Sequence, residues 1–182
     1  MTSPALGTLE WQPAADHREL LAAPVAAVVE HGLACYVAAI DPELADTAAF
    51  CAAYAVPLAK SANCVVVEGR RGEAVTMAAC LVLATDRADV NKTVRKQLDV
   101  RKISFASMET AVSRTQMQYG GITPLGLPPD WPVLIDSAVA AADWLVIGSG
   151  IRGSKIAVTG ETLARLPGAT VLELAQPGRP PG

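Results

Sequence analysis

Apolar runs that predict buried strands recur along the chain. Residues 33–40 (LACYVAAI) are continuously apolar and end at an Asp-Pro pair, as expected of a strand inside a sheet. Residues 63–68 and 74–84 are two further apolar runs, and the short Gly-containing loop between them predicts a β-hairpin. A short edge strand is predicted at residues 6–11, and later strands at residues 133–135, 144–148, 155–158 and 169–174.

Segments with helical periodicity lie between these strands. Residues 16–30 predict a helix that Pro24 divides, because proline lacks the N–H that an interior turn needs. Other helices are predicted to begin at N-cap residues, which are Asp46, Asp89, Ser107 and Thr159. Since strands and helices mix without a strict βαβ rhythm, we predict an α+β fold with a mixed sheet.

The composition indicates one compact domain in the cytoplasm. The chain has 182 residues, 51% hydrophobic and only 4% aromatic, so its core must use small and branched side chains. We find neither the ~20 apolar residues that cross a bilayer nor a signal-peptide pattern. Four cysteines without a CxxC pair, together with two histidines, argue against zinc and for buried free thiols. We therefore expect no metal and no cofactor.

Two local features could contact a ligand. Lys60 stands immediately before an apolar strand, where it is either a solvated end-charge or a cation aimed into a cleft to hold a phosphate or carbonyl oxygen. Residues 119–132 (YGGITPLGLPPDWP) are too rich in Gly and Pro for regular structure and predict a long loop of defined shape. Within it, Gly120 and Gly121 could present backbone N–H donors to a ligand, although an ordinary turn would have the same sequence.

The motifs of the common enzyme classes are absent. The chain contains no GxSxG, no HExxH and no phosphate-binding P-loop. Residues 148–153 (GSGIRG) have only a superficial likeness to a dinucleotide-binding GxGxxG, because a strand rather than a helix is predicted to follow them.

A basic segment stands out on an acidic chain. Residues 86–102 carry six cations against three carboxylates, whereas the whole chain has a net charge of −3. Val90, Val94 and Leu98 share one helical face there, and Lys92 lies away from it with Arg95 and Lys96. The segment is either a solvated helix face or a patch for an RNA backbone.

Taken together and in this order, these segments resemble the YbaK family, the editing domain also found inserted in bacterial prolyl-tRNA synthetases. The matching stretches are residues 51–67, 89–107, 119–128 (YGGITPLGLP) and 146–158 (VIGSGIRGSKIAV). The resemblance implies a curved mixed β-sheet flanked by helices. We place the deacylase domain at residues 31–175, an N-terminal extension packed on it at residues 1–30, and a disordered tail at residues 176–182.

The resemblance also implies an activity and a site. Family members deacylate tRNA charged with a wrong small amino acid, such as Cys-tRNA(Pro) or Ala-tRNA(Pro), without a metal. The partners expected are aminoacyl-tRNA and prolyl-tRNA synthetase, and neither DNA nor a membrane is expected. The expected catalytic residues are Lys60, Gly120 and Gly121; the substrate-binding residues are Ile122, Thr123, Pro124, Gly148, Ser149, Gly150 and Arg152; the tRNA-binding residues are Lys92, Arg95 and Lys96.

Two positions depart from the family pattern. Members often carry Ser at the position of Gly148, and some carry an acidic residue at the position of Lys155. Two alternatives to a tRNA deacylase therefore stay open. One is a non-catalytic module that binds aminoacyl-tRNA or a synthetase, and the other is a deacylase of small free esters.

Overall fold

Two main β-sheets form the centre of the protein. The computed structural model describes residues 2–178. The strands are β1 (Gln12–Pro13), β2 (Tyr36–Ala39), β3 (Ala62–Arg71), β4 (Ala74–Leu83), β5 (Asp86–Ala88), β6 (Lys102–Phe105), β7 (Val133–Asp136), β8 (Leu145–Gly148), β9 (Ser154–Val158), β10 (Ala169–Leu172) and β11 (Ala175–Pro177). The α-helices are α1 (Ala23–Glu30), α2 (Thr47–Tyr54), α3 (Arg95–Gln97), α4 (Met108–Thr115), α5 (Ser137–Ala140) and α6 (Gly160–Ala164).

The larger sheet is mixed, as the sequence predicts. Its order is β10-β7-β4-β3-β6, with β10, β7 and β4 parallel and with β3 antiparallel to both β4 and β6. The second sheet has the order β1-β2-β9-β8 and is antiparallel throughout. A parallel bridge between Ser61 and Val146 links the two sheets at the entrance of β3. This arrangement confirms the α+β fold with a mixed sheet.

The predicted N-caps are all present. The side chains of Asp46, Ser107 and Thr159 accept hydrogen bonds from the backbone of the next turn. Asp89 accepts from the N–H of Thr93 at 3.3 Å and from its hydroxyl at 2.8 Å. The turn that follows Asp89 is a π-turn, Val90–Val94, which continues into α3. Among the described residues, no helix combines the length and the apolar character needed to cross a membrane.

The hairpin is tighter than its sequence indicates. β3 and β4 pair without a break from Ala62 with Leu83 to Arg71 with Ala74, so only Gly72 and Glu73 remain in the turn. Gly69, which we placed in the loop, lies inside β3 opposite Thr76. Val100 covers it closely, since a Cβ at Gly69 would lie 2.8 Å from the Val100 methyl carbons. Continuous cross-strand pairing therefore overrides the turn propensity of this glycine.

The first thirty residues contribute to the main core. The predicted helix at 16–30 forms as two 3₁₀ turns followed by α1, and Pro24 lies in the first turn of α1, where its missing N–H is tolerated. Val25 and Val29 of α1 pack in the same cluster as Ile147 and Ile156 of the antiparallel sheet. The strand predicted at residues 6–11 is wrong, because the Trp11 indole donates to the Leu6 carbonyl at 3.0 Å and folds this segment on itself.

The C-terminal segment is ordered further than the sequence suggests. Gln176 and Pro177, which we placed in a disordered tail, belong to β11 and pair with β5. The N–H of Gly178 extends this pairing by donating to Thr85 at 3.1 Å. Residues 179–182 of the predicted tail lie outside the described residues.

Asp136 fastens this segment to the sheet, which leads to a test of the fold. Its buried carboxylate accepts from the N–H groups of Leu174 and Ala175, both at 2.9 Å, and from Ala138 at 3.0 Å. We expect Asp136→Ala to lower the free energy of unfolding by about 3 kcal/mol in urea titrations, because three donors lose a charged acceptor. Asp143→Ala removes an exposed carboxylate and should change it by less than about 0.5 kcal/mol. Equal effects would show that the Asp136 bonds do not stabilise the fold.

Candidate functional site

A cavity of about 760 Å³ opens where the two sheets meet. Its walls come from the start of α2, from the first half of β3, from the junction of β6 and α4, from the glycine loop at residues 119–122, and from β8 and β9. Apart from Asn63, the side chains on the β3 and α4 walls are small or apolar, and they include Ala62, Cys64, Val66, Ala106 and Ala111. The cavity therefore combines a glycine-lined side with an apolar side.

The start of α2 is held firmly against β3. Asp46 caps the helix by accepting from the N–H of Ala48 at 3.1 Å. The hydroxyl of Thr47 donates to the side-chain oxygen of Asn63 at 2.6 Å, and both residues line the cavity. These contacts fix the position of the Ala45 carbonyl, which immediately precedes the cap.

Lys155 supplies the ammonium group in the cavity wall. It lies in β9 and is only 7% exposed, although it lines the cavity. Its Nζ donates to the Ala45 carbonyl at 2.9 Å and lies 5.1 Å from the centroid of the Phe50 ring. An ammonium has three N–H donors, so this one bond leaves two for a ligand. Burial lowers the pKa of Lys155 below its usual value of 10.5, and the nearby Asp46 carboxylate opposes that shift.

Lys60, the lysine that the sequence favours, lies elsewhere. It ends a 3₁₀ turn (Leu58–Lys60) and is half-buried, and it is not among the residues that line the cavity. The structure therefore places Lys155 in the cavity wall and Lys60 outside it, and the catalytic role expected of Lys60 stays a prediction. The sequence signal for Lys155 was a lysine beside the apolar residues 156–158 of a predicted strand. The structure buries all five residues of that strand, β9.

Residues of the glycine loop reach the cavity wall. Gly120 and Ile122 line the wall, and the structure shows no hydrogen-bond acceptor for their N–H groups among residues 2–178. Gly121 is different, because its N–H donates to the Gln118 carbonyl at 3.0 Å and its own carbonyl accepts from Gly150 at 2.7 Å. The Gly121 N–H is therefore already hydrogen-bonded within the protein, and the catalytic role expected of Gly121 stays a prediction.

The rest of the loop lies behind the wall. Thr123 and Pro124 are buried and do not line the cavity, so the structure does not place them as substrate contacts. The Thr123 hydroxyl is fully buried without a hydrogen-bond partner among the described residues. Of the loop residues expected to bind substrate, only Ile122 reaches the cavity.

The turn between β8 and β9 has a mainly structural role. Gly148 lines the cavity, whereas Ser149 lies behind it within 3.1 Å of the carbonyls of Ile151 and Ser154. Gly150 faces the N-terminal segment, because a Cβ there would lie 2.3 Å from that of Ala22. The structure thus places Ser149 and Gly150 against the protein interior instead of against substrate.

Arg152 connects two walls of the cavity without lining it. Its guanidinium donates to the Tyr119 carbonyl at 3.3 Å and to the Pro42 carbonyl at 3.0 Å. Its backbone N–H donates to the Gln118 side chain at 2.8 Å. Since Pro42 begins the turn that leads to Ala45, Arg152 positions both the glycine loop and the acceptor of Lys155.

The three basic residues expected to bind tRNA are exposed together. Lys92, Arg95 and Lys96 line a shallow cavity of about 500 Å³ with Asp99, Val100 and Arg101. Val90 and Val94 are buried on the opposite face, as the helical pattern predicts. The structure therefore presents these cations to solvent as one groove, which we call the basic groove.

The thiols and the metal-binding residue types do not form a reactive centre in the described part of the chain. All four cysteines are free, and burial raises the pKa of Cys35 and Cys80 to about 12, which disfavours the reactive thiolate. No group of three or more His, Cys, Asp or Glu side chains within residues 2–178 could hold a metal ion.

Comparison with known proteins identifies the family. The model of the aminoacyl-tRNA editing domain matches residues 41–166, so the chain belongs to the aminoacyl-tRNA editing domain family. One similar solved structure is described as "a putative trans-editing enzyme for prolyl tRNA synthetase"; it has a TM-score of 0.73 and 19% identity over 85% of this chain and 96% of that one. Another, described as a hypothetical protein, has a TM-score of 0.73 and 17% identity over 82% and 96%. At these identities the structures show a shared fold.

The two loop glycines should respond differently to substitution. A Cβ at Gly121 would lie 2.6 Å from the Ile151 carbonyl oxygen, whereas a Cβ at Gly120 would meet only the flexible end of Arg152, at 2.4 Å. We expect Gly121→Ala to lower the free energy of unfolding by about 3 kcal/mol, because backbone cannot move aside. Gly120 has a φ of +89°, so we expect Gly120→Ala to lower the free energy of unfolding by about 1 kcal/mol.

Gly72 offers a matched control for this comparison. Its φ is +60° and no atom would lie within 4 Å of an added methyl group, so Gly72→Ala isolates the conformational cost. In chemical denaturation, the Gly120→Ala and Gly72→Ala variants should have similar free energies of unfolding, and that of Gly121→Ala should be well below both. A Gly121 variant as stable as the Gly72 variant would contradict the close backbone contact.

Proposed function

We propose that the protein hydrolyses the ester of tRNA charged with a wrong small amino acid, acting in trans as an editing enzyme. The observation that carries the proposal is that Lys155 lines one cavity together with Gly120 and Ile122, whose N–H groups have no acceptor among the described residues, in a chain of the aminoacyl-tRNA editing family. Positive donors around one point are what an acyl-transfer reaction requires. Cys-tRNA(Pro) and Ala-tRNA(Pro) are the substrates that we infer.

The proposed reaction relies on positioning and charge stabilisation. Water, or a hydroxyl or thiol of the substrate, adds to the ester carbonyl carbon, and negative charge develops on the carbonyl oxygen. Lys155 and the amides of Gly120 and Ile122 stabilise that oxygen, because preorganised donors are most effective in a partly desolvated site. With water as the nucleophile, the ester C–O bond then breaks, the ribose oxygen leaves with a proton, and the free amino acid is released. In this mechanism no metal takes part.

Substrate choice is proposed to depend on size. The apolar wall is built from short side chains, among them Ala62, Cys64 and Ala106. Attraction alone separates amino acids that differ by one methylene by only ~1–3 kcal/mol, so exclusion of larger side chains is the more effective filter. Prolyl-tRNA synthetase, as a source of such mischarged products, is the partner enzyme that we propose.

A panel of mischarged tRNAs tests the function directly. Release of the amino acid from Cys-tRNA(Pro) or Ala-tRNA(Pro), with Pro-tRNA(Pro) left intact, is the expected result. Binding of these tRNAs without release would indicate a non-catalytic module. Hydrolysis of amino acid ethyl esters at the same rate as tRNA would indicate a small-ester deacylase.

The two lysines provide the sharpest test of the site. Lys155→Met keeps the aliphatic stem and removes the ammonium, so we expect kcat to fall about 100-fold or more on the best substrate, as when one oxyanion donor is lost. Lys60→Met should keep near wild-type turnover, because Lys60 does not line the cavity. Melting curves of both variants serve as the folding control. If Lys60→Met is the inactive variant, the assignment to Lys155 is wrong and that from the sequence is right.

We also propose that the basic groove contacts the tRNA backbone. Lys92, Arg95 and Lys96 form the groove with Arg101 on a chain that is otherwise acidic. Each phosphate contact releases condensed counterions, so binding through such a groove should weaken steeply as salt increases.

Charge reversal tests the basic groove. In the triple variant Lys92→Glu, Arg95→Glu and Lys96→Glu, KM for aminoacyl-tRNA should rise at least tenfold with little change in kcat, and its salt dependence should flatten. Hydrolysis of aminoacyl-adenosine should not change, since that substrate has no further phosphates. A triple variant at three exposed sites outside both cavities, Arg18→Glu with Arg114→Glu and Arg165→Glu, controls for net charge. Equal losses on both substrates would contradict a role confined to the tRNA backbone.

A further inference from the structure

The exposed aromatic side chains are concentrated at the cavity. The chain has eight Trp, Tyr and Phe residues, all within the described part. Only two of them are exposed, Phe105 at 63% and Tyr119 at 55%, and both line the cavity. Leu58, 43% exposed, lines it as well. We call these three side chains the rim.

The rim side chains have no partner that accounts for their position. The ring pairs in residues 2–178 are Tyr36 with Trp144 and Phe50 with Tyr54, so neither rim ring stacks within the described structure. Leaving large apolar groups in water forgoes the favourable free energy of burying them. A cluster of such groups beside a cavity is typical of a binding surface.

Strand β6 connects the rim to the basic groove. Arg101 lines the groove, exposed Lys102 begins β6, and Phe105 ends it. β6 is also an edge strand of the mixed sheet, so one of its sides is open. Four residues of strand span ~13 Å. At ~3.4 Å for each nucleotide of a stacked strand, this distance matches about four nucleotides.

We propose that Phe105 and Tyr119 stack on unpaired bases next to the 3′ end of an aminoacylated RNA, while Arg101 contacts the phosphate backbone that precedes them. The inference rests on the proposed function, and it adds the single-stranded end as the element recognised. Flat rings beside cations match unpaired nucleotides, which offer a π-face and a phosphate at each step. The same track ends at the cavity where the ester would lie.

Binding of a fluorescein-labelled RNA oligonucleotide ending in CCA, followed by anisotropy, tests the proposal without any hydrolysis. Phe105→Ala and Tyr119→Ala should each weaken the affinity by at least about fivefold, in line with the loss of one base–aromatic stack. Phe105→Tyr and Tyr119→Phe keep a ring and should bind within about twofold of wild type. Val75→Ala and Val171→Ala alter exposed apolar side chains outside the cavity and should have no effect.

The outcomes separate this inference from the proposed function. RNA binding that depends on both rings, in a protein that releases no amino acid, would support base stacking by the rim and reject the proposed deacylase function. Amino acid release with unchanged RNA affinity in both Ala variants would support the deacylase and overturn the rim, and would indicate a protein partner for that surface. Loss of affinity in the Val controls as well would also overturn it, because the effect would not be specific to the rings.

Discussion

The close contact between the glycine loop and the β8–β9 turn determines the geometry of the whole site. Gly121 and Gly148 approach so closely that a Cβ on Gly148 would lie 2.5 Å from the Gly121 carbonyl oxygen. The same carbonyl accepts from the Gly150 N–H at 2.7 Å. This contact holds the amides of Gly120 and Ile122 on the same cavity as Lys155, because Lys155 is the cross-strand partner of Gly148. A side chain at either glycine would separate the two walls.

Burial of the Lys155 ammonium costs free energy, which its contacts in the cavity wall must offset. Removing a charge from water is expensive unless partners replace the lost hydration. The Ala45 carbonyl and the Phe50 ring provide such partners, and the Asp46 carboxylate favours the charged form. A strand position between Ala38 and Gly148 would otherwise suit an apolar residue. A lysine retained there, with donors to spare, is best explained by the chemistry of the cavity.

The family and the cavity support different parts of the functional assignment. Membership of the aminoacyl-tRNA editing domain family rests on the match over residues 41–166. The arrangement of donors rests on this chain's own residues, and it differs from the one that the YbaK resemblance implied. The two positions that depart from the YbaK pattern, Gly148 and Lys155, are paired across β8 and β9. Because these two positions are cross-strand partners, we interpret the two departures as one coupled change.

Local sequence chemistry specifies the helix caps, the hairpin and the glycine loop of this protein. The helix caps at Asp46, Asp89, Ser107 and Thr159 were predictable because capping depends on residues within one turn. The hairpin and the irregular glycine loop followed in the same way from short-range chemistry.

Tertiary packing sets which of these residues meet at the cavity. Lys155 reaches it through the register of β9, since a shift of one residue would turn its side chain to the other face. Lys60 lies in the 3₁₀ turn before β3 and does not line the cavity. Whether a loop N–H is free depends on the path of the folded loop, which the bond from the Gly150 N–H to the Gly121 carbonyl holds in place. In that path the Gly121 N–H donates to the Gln118 carbonyl, whereas the structure shows no acceptor for the Ile122 N–H among residues 2–178. Ser149 and Gly150 are buried because the N-terminal segment packs on them. These outcomes are set by long-range packing, which local sequence patterns do not encode.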